Sequence, residues 1–204
     1  MDTRDTEIRS ALHEKVLKRF HTKKDARVVN ELGVVHGSQR IDIAVIHTTL
    51  HGYEIKSSKD DLDRLPNQIQ AFTKCFERLT IVVAQSHLDE VLELTPTWVG
   101  VTLATKGSRG AIHFAVKRKS TQNPNLDTYL TAHFLWKREA IELLNQSGVP
   151  HRNLPRTKLY KLLDANLSQK KILWSVRHYL KSRENWRSDL KPIPNGAPPR
   201  LASM

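Results

Sequence analysis

The sequence predicts an α/β fold in which a mixed sheet flanked by helices is followed by a basic helical region. Two observations support this prediction. Short β-type runs alternate with helical patterns as far as Arg118, and only helical patterns follow that residue. The chain of 204 residues is 39% hydrophobic and 26% charged, which suits a globular protein with a substantial core.

The amino-terminal half begins with an amphipathic helix at 5–20, where apolar residues recur every four positions. Three β-type runs separated by turns then predict an antiparallel meander, at 26–32, 40–47 and 52–57. A helical pattern from Asp60 leads to a strand at 79–84. This strand is too apolar for an edge, so we expect it to be covered on both faces.

A helix at 87–94 precedes the last predicted strands, 98–104 and 111–117, which form a hairpin around a glycine turn. A polar linker at 120–125 then leads to three helices, at 126–144, 156–165 and 168–183. The chain thus divides into three predicted parts, a core at 1–120, a basic helical region at 121–187 and a disordered tail at 188–204.

The charge of the chain favours a nucleic acid as its partner. The net charge is +12, and residues 151–204 hold twelve basic residues against three acidic ones. The predicted contacts to phosphate are basic residues of the helical region and one lysine of the core: Lys158, Lys161, Lys170, Lys171, Arg177, Lys181, Arg183, Arg187 and Lys59. The alternative is that these residues only solvate a helical bundle. A helix-turn-helix and an ordinary helical hairpin fit the pattern equally well.

Several classes of protein are excluded by composition. Cys75 is the single cysteine, so the sequence offers neither a disulfide framework nor a cysteine-rich zinc site, and we expect this thiol to be buried. No histidines recur at metal-ligand spacing, and His47 and His51 are expected on the surface. The amino terminus is charged and no apolar run could span a membrane, so a cytoplasmic protein is expected.

Two neighbouring strands carry the residues that predict chemistry. The strand at 52–57 places Glu54 and Lys56 on one face, and the preceding strand holds Asp42 in an otherwise apolar run. A hairpin centred near Thr48 sets Asp42 opposite Glu54, because both lie six residues from that centre. Facing carboxylates repel unless a cation lies between them.

Magnesium fits this sparse set of oxygen ligands, and manganese is the natural substitute. The backbone carbonyl of Ile55 would complete a ligand set with Asp42 and Glu54. Lys56 would orient the attacking water or neutralise charge on the phosphorane, so the expected reaction is hydrolysis of phosphodiester bonds. The alternative is a structural salt bridge that uses Arg40 or Lys56 as the counter-ion.

The stretch at 40–84, together with Glu31, resembles the core of the PD-(D/E)XK nuclease superfamily, especially a small, poorly characterised bacterial and phage branch. The residues that match the pattern of this branch are Glu31, Asp42, Glu54, Lys56, Asp60, Asp61, Arg64, Leu65 and Gln68. Ile41 replaces the proline of the motif, and a looser similarity extends to 135–139. The resemblance implies a restriction-endonuclease-like core with a four-stranded mixed sheet, and it implies roles in catalysis for Glu31 and Gln68.

Some assignments stay open at the level of sequence. Glu14 competes with Glu31 for the place of a third acidic ligand, and Gln70 competes with Gln68. The function expected first is a Mg²⁺-dependent endonuclease that prefers DNA to RNA and acts on duplexes as a homodimer. The alternatives are a non-catalytic or regulatory DNA-binding module on the same fold, and an RNase or toxin-like effector.

Overall fold

The computed structural model describes residues 2–184 of the chain. Over this range the chain forms a six-stranded sheet whose spatial order follows the sequence. The strands are β1 (Arg27–Val34), β2 (Gln39–Ile46), β3 (Leu50–Lys56), β4 (Arg78–Ala84), β5 (Gly100–Lys106) and β6 (Ile112–Arg118). The predicted α/β class is confirmed. The predictions for Arg187 and for the tail at 188–204 lie outside the described residues.

The sheet is mixed because its first and last strand pairs are hairpins while its centre is parallel. β1, β2 and β3 form the predicted antiparallel meander, and β6 pairs antiparallel with β5. Helices α3 (Leu65–Cys75) and α4 (Leu88–Leu94) provide the crossovers that make β3, β4 and β5 parallel. The sheet has six strands rather than the four that the resemblance implied, because β5 and β6 extend it beyond β4.

One face of the sheet is covered by the amino-terminal helical segment. The predicted helix at 5–20 is present, as α1 (Asp5–Ala11), a π-helical stretch (Leu12–Val16) and α2 (Lys18–His21). Ile8 and Leu12 are buried there and share a core cluster with Ile43, Val45 and Ile55 of the sheet. Alternation along β2 and β3 sends these three side chains to one face, so the amphipathic pattern fixes where this segment docks.

The opposite face carries all the other helices, which include α5 (Thr128–Ala132), α6 (Lys137–Gln146), α7 (Arg156–Asn166) and α8 (Gln169–Ser182). Phe72 and Phe76 pack there in one core cluster with Leu143, Tyr160 and Val176 of the carboxyl-terminal helices. None of the helices within residues 2–184 has the length and apolar character that crossing a membrane requires. The basic helical region is therefore packed onto the sheet through a shared apolar core.

The helix predicted at 126–144 is two helices, α5 and α6, and the single-helix prediction was wrong. Polar groups fix both starts: the Asp127 side chain accepts a hydrogen bond from Leu130 N at 2.8 Å, and Glu139 Oε2 accepts one from Trp136 N at 2.7 Å. Hydrogen bonds of this kind, from a backbone N–H to a side-chain oxygen, cap the start of a helix. They allow a new helix to begin within an otherwise continuous apolar pattern. The chain therefore turns between residues 132 and 137.

The polar segment predicted as a linker at 120–125 is fixed to the sheet domain by a buried asparagine. Asn123 Nδ2 donates to the carbonyls of Thr73, at 2.7 Å, and Phe76, at 2.9 Å. Both carbonyls lie at the carboxyl end of α3, where the last carbonyls of a helix lack partners within the helix. The segment thus caps α3 while it connects β6 to the carboxyl-terminal helices.

Two histidines expected on the surface are largely withdrawn from it. His47 Nε2 lies 3.0 Å from Asp25 Oδ2, and its side chain is 17% exposed. His51 stacks on Tyr53 with ring centroids 4.3 Å apart, and its Nε2 hydrogen-bonds with Thr80 Oγ1 at 2.9 Å. The surface prediction was wrong because β3 starts at Leu50, which places His51 inside the sheet rather than in the turn.

We expect a His51→Gln variant to change how stability depends on pH. Burial lowers the pKa of His51 from its ordinary 6.5 to about 3, so the folded protein favours the neutral imidazole. The unfolded chain takes up this proton first, and the free energy of unfolding contributed by His51 is lost as the pH falls from 6.5 towards 3. Urea unfolding at pH values of about 7 and about 4.5 should therefore show a smaller loss for the variant. Equal losses in both proteins would contradict this account.

Candidate active site

Three carboxylates lie in one row across the first three strands. Ile43 pairs with Tyr53, and continuing that register by one residue sets Asp42 opposite Glu54, as the hairpin length predicts. On the other side of β2, the pairs at 30–43 and 32–41 set Glu31 opposite Asp42. Like charges in such a row repel, so positive groups must be brought to them.

Glu54 forms a closed set of contacts with Lys56 and Gln68. Glu54 Oε1 accepts a hydrogen bond from Gln68 Nε2 at 2.7 Å and lies 3.2 Å from Lys56 Nζ. Lys56 Nζ in turn donates to Gln68 Oε1 at 2.8 Å. Both charged residues are buried, with 2% and 5% of their surface exposed. The amide of Gln68, on α3, therefore fixes the positions of both charged groups.

The second carboxylate oxygen of Glu54, Oε2, is buried and has no hydrogen-bond partner among the described residues. Burial and the charge of Asp42 raise the pKa of Glu54 to about 8, against the lowering effect of Lys56 and Gln68. Burial also raises the pKa of Asp42, against the lowering effect of Arg9 and of the Ile55 N–H. The site is thus short of positive charge for two ionised carboxylates.

Asp42 is held by a residue that the sequence did not single out, Arg9 of α1. Arg9 Nη2 donates to Asp42 Oδ1 at 2.7 Å, and Arg9 Nη1 donates to the Asp42 carbonyl at 2.9 Å. The other carboxylate oxygen accepts a hydrogen bond from Ile55 N at 2.7 Å. Asp5, four residues before Arg9, contacts the same guanidinium at 3.2 Å. The spacing of Asp5 and Arg9, four residues apart on one helix, is visible in the sequence and predicts their ion pair. Nothing in the sequence nearby indicates that this pair faces the sheet and reaches Asp42.

Glu31 lies at the rim of the site, in a left-handed backbone conformation with φ of 55°. Its carboxylate is 3.2 Å from Arg9 Nη2 and 3.6 Å from Arg40 Nη1. Non-glycine residues adopt this conformation at an energetic cost and concentrate at functional sites. The competing candidate Glu14 is exposed on the π-helical segment and lines a different cavity.

A cleft of about 440 Å³ opens over this row. The residues that line the cleft are mostly charged or polar: Asp5, Arg9, Glu31, Gly37, Ser38, Gln39, Arg40, Asp42, Glu54, Ile55, Lys56, Asp60, Arg64 and Gln68. Gln70, the alternative to Gln68, is exposed on α3. Asp60 accepts hydrogen bonds from the backbone and hydroxyl of Ser57, both at 2.7 Å, which orders the chain after β3.

The cleft does not gather a large set of metal ligands. Within residues 2–184, no three side chains from Asp, Glu, His and Cys come close enough together to hold one ion. Glu31 is therefore not grouped with Asp42 and Glu54 as the third ligand that the sequence predicted, because its carboxylate turns towards Arg9 and Arg40. An ion here would depend on Asp42, Glu54 and backbone or water oxygens.

Comparison with known proteins identifies the family. The family model described as "Bacteriophage P4 protein cII" matches residues 1–191. The chain belongs to this family. Protein cII of Enterobacteria phage P4 is 32% identical to it over 180 residues, which cover 88% of this chain and 67% of that protein. A solved structure, the SPO1766 protein of unknown function from Silicibacter pomeroyi, is 19% identical over 57% of this chain and 68% of its own, with a TM-score of 0.38.

In this member of the P4 cII family, some of the basic residues predicted to bind nucleic acid are exposed, and others form contacts within the protein. Four lysines of the carboxyl-terminal helices are exposed: Lys158, Lys161, Lys170 and Lys171. Lys59 is exposed and pairs with Asp2 at 2.6 Å, and Lys181 Nζ donates to the carbonyl of Asp25 at 3.2 Å. Arg177 and Arg183 instead form ion pairs inside the protein.

The prediction that Arg183 contacts nucleic acid was wrong because its side chain is buried, whereas contact by Arg177, which is partly exposed, stays a prediction. Arg177 Nη1 lies 2.5 Å from Glu77 Oε2, and Arg183 Nη2 lies 2.6 Å from Glu139 Oε2. Both carboxylates are buried, so each arginine neutralises an internal charge and holds α8 to the rest of the protein. Charge counting along the sequence could not separate these two arginines from the exposed lysines of the same helix.

Proposed function

We propose that this member of the P4 cII family is a Mg²⁺-dependent nuclease with a restriction-endonuclease-like core of the PD-(D/E)XK type. The observation that carries the proposal is Glu54 Oε2, a buried carboxylate oxygen that has no hydrogen-bond partner within residues 2–184, beside the carboxylate of Asp42 on the neighbouring strand. A buried acceptor left unsatisfied costs about 1–3 kcal/mol or more, and a hard cation would satisfy it.

The donor atoms present fit such an ion. Asp42 and Glu54 offer carboxylate oxygens and Ile55, in the cleft wall between them, offers a backbone carbonyl. Mg²⁺ binds through one or two carboxylates and completes its shell with waters and substrate phosphates, and Mn²⁺ accepts the same ligands. The bound ion would lower the pKa of a water and polarise the phosphodiester.

The remaining residues of the cleft suit the other demands of phosphodiester hydrolysis. Lys56 Nζ, positioned by Gln68, can hold the attacking water or neutralise the charge that builds up on the phosphorane. Arg40 and Arg64 in the cleft wall can take the non-bridging phosphate oxygens. Gln68 keeps Glu54 and Lys56 in one arrangement throughout, which is the function we assign to it.

A nucleic acid is the favoured substrate because of the net charge of +12 and the exposed lysines of α7 and α8, and DNA is the form that we propose first. The row of Asp42 and Glu54 forms a single cleft in the described part of the chain, and one cleft would cut one strand. Cleavage of both strands of a duplex would then need two copies, which is why a homodimer belongs to the proposal.

The test is a nicking assay on supercoiled plasmid with purified full-length protein. We expect nicking with Mg²⁺ or Mn²⁺, none with excess chelator, and a rate lowered by about a hundredfold in Asp42→Asn. Asp61→Asn, at an exposed acidic position outside the cleft, is the matched control and should nick like the wild type. A single-stranded RNA offered in parallel separates the RNase alternative, which would cleave RNA alone.

A second candidate function is a non-catalytic, regulatory nucleic-acid-binding module on the same fold. Arg9 favours it, because its guanidinium already pairs with Asp42 and Glu31 in the position that an ion would take up. The family match adds weight to it, since the matching description is that of a phage protein rather than of a nuclease. Salt-dependent binding of DNA that Asp42→Asn leaves intact, with no nicking under any metal, would establish this candidate instead.

A further inference from the structure

Helix α8 exposes an aromatic side chain that the core does not use. Only three large hydrophobic side chains in the described part of the chain are exposed, and Trp174, at 59%, is by far the largest of them. The apolar face of α8 is already buried through Ile172, Val176 and Leu180. Trp174 lies on the opposite side, so burial in the core does not explain its presence.

His178 stacks on the exposed indole of Trp174. The rings of Trp174 and His178 lie 5.1 Å apart between centroids, with only 5° between their planes. The two residues are one helical turn apart, which places them on the same face of α8. The two parallel rings therefore form a short aromatic stack on the exposed side of α8, which a further flat ring can extend.

Positive charge flanks the aromatic pair along the helix. Lys170 and Lys171, four and three residues before Trp174, are exposed, and Lys181 follows His178 by three residues. The helix from Gln169 to Ser182 contains no acidic residue. From Lys170 to Lys181, a distance of about 16 Å at 1.5 Å per residue, lysines and aromatic rings lie along one side of α8.

This combination matches one kind of partner. Nucleobases stack on exposed aromatic rings, and lysines beside the rings neutralise the phosphates between those bases. A protein partner would have to desolvate the lysines, and charged residues are depleted at the centres of protein interfaces. A lipid surface would need an apolar face, and that of α8 is already packed against the core.

We propose that the exposed face of α8 is a stacking platform for the unpaired bases of a single-stranded nucleic acid, with Trp174 and His178 receiving the bases and Lys170 and Lys171 the phosphates. A base within a duplex has both faces covered by its neighbours, so the platform favours single strands. The inference requires a nucleic-acid partner but not cleavage, and binding measured in chelator tests it independently of the nuclease.

The experiment is fluorescence anisotropy of a labelled oligothymidylate of about 12 nucleotides with the full-length protein in chelator. Trp174→Ala should weaken binding about tenfold or more, whereas Trp174→Phe should retain most of the affinity. The matched control, Val116→Ala, alters an exposed apolar residue on β6 and should bind like the wild type. The Lys170→Ala, Lys171→Ala double variant should reduce the salt dependence of binding.

Equal affinity of Trp174→Ala and wild type for the single strand would overturn the proposal. An equal loss for a duplex of the same length would also overturn it, because stacking on unpaired bases would then not be the cause. If Trp174→Ala instead converts a dimer to a monomer in sedimentation while nucleic-acid affinity is unchanged, the face binds a second copy of the chain. Trp174 is exposed, so thermal unfolding of the variant should match that of the wild type.

Discussion

The Lys56→Met variant is expected to lose metal-dependent nicking by about 10²- to 10³-fold, measured on protein that circular dichroism shows to be folded, because the change also removes the counter-ion of buried Glu54. Met has a similar length and fills the space of the lysine stem, which is buried beside Glu54. What it removes is the ammonium, 2.8 Å from Gln68 Oε1 and 3.2 Å from Glu54 Oε1. A charge placed where negative charge develops contributes most in the transition state, so the rate should fall far more than substrate affinity.

The measurement is the first-order rate of plasmid nicking at saturating metal, with DNA affinity determined separately in chelator. Lys59→Met is the matched control, because Lys59 follows β3 by three residues but is exposed and pairs with Asp2 instead. A Lys56→Met rate within a few-fold of the wild type would remove Lys56 from the reaction. If the affinity fell in parallel with the rate, Lys56 would bind substrate rather than stabilise the transition state.

The hairpin that carries the site could be predicted because its register is a local property. The turn near Thr48 and the alternation along two strands were enough to set Asp42 opposite Glu54, as the pairing of Ile43 with Tyr53 confirms. Strand pairs joined by a short turn leave few alternative registers when one face is apolar. The chemistry of these residue types could then be argued before any tertiary contact was known.

The residues that sequence reasoning missed all depend on contacts between distant parts of the chain. Arg9 meets Asp42 across 33 residues, and Arg177 meets Glu77 across 100. Neither helix carries a local signal for which of its charged side chains will meet a buried carboxylate. The split of the helix at 126–144 was missed for a similar reason, since its apolar spacing continues across the break. Charge and periodicity indicated which helix faces are apolar and which are charged, but not which parts of the protein those faces contact.

The largest effect on stability is expected from Glu139→Ala, which should lower the free energy of unfolding by about 3–5 kcal/mol. Glu139 and Arg183 are both buried, and their side chains meet through two hydrogen bonds of 2.9 and 2.6 Å. Removing the carboxylate takes two hydrogen bonds and the opposite charge of Glu139 away from the buried guanidinium. Glu139 also accepts the hydrogen bond from Trp136 N that starts α6, so the helix cap is lost as well.

Urea unfolding of the full chain measures this effect, and Glu142→Ala provides the control from an exposed position on the same helix, with an expected change within about 0.5 kcal/mol. Replacing both partners, in Glu139→Leu with Arg183→Met, should recover much of the loss, because the buried guanidinium that lost the charge of Glu139 is then replaced by an apolar side chain. The double variant separates two causes. If it is as unstable as Glu139→Ala, the loss in Glu139→Ala comes from the missing attraction between the two charges and not from the cost of keeping the guanidinium buried after Glu139 is removed.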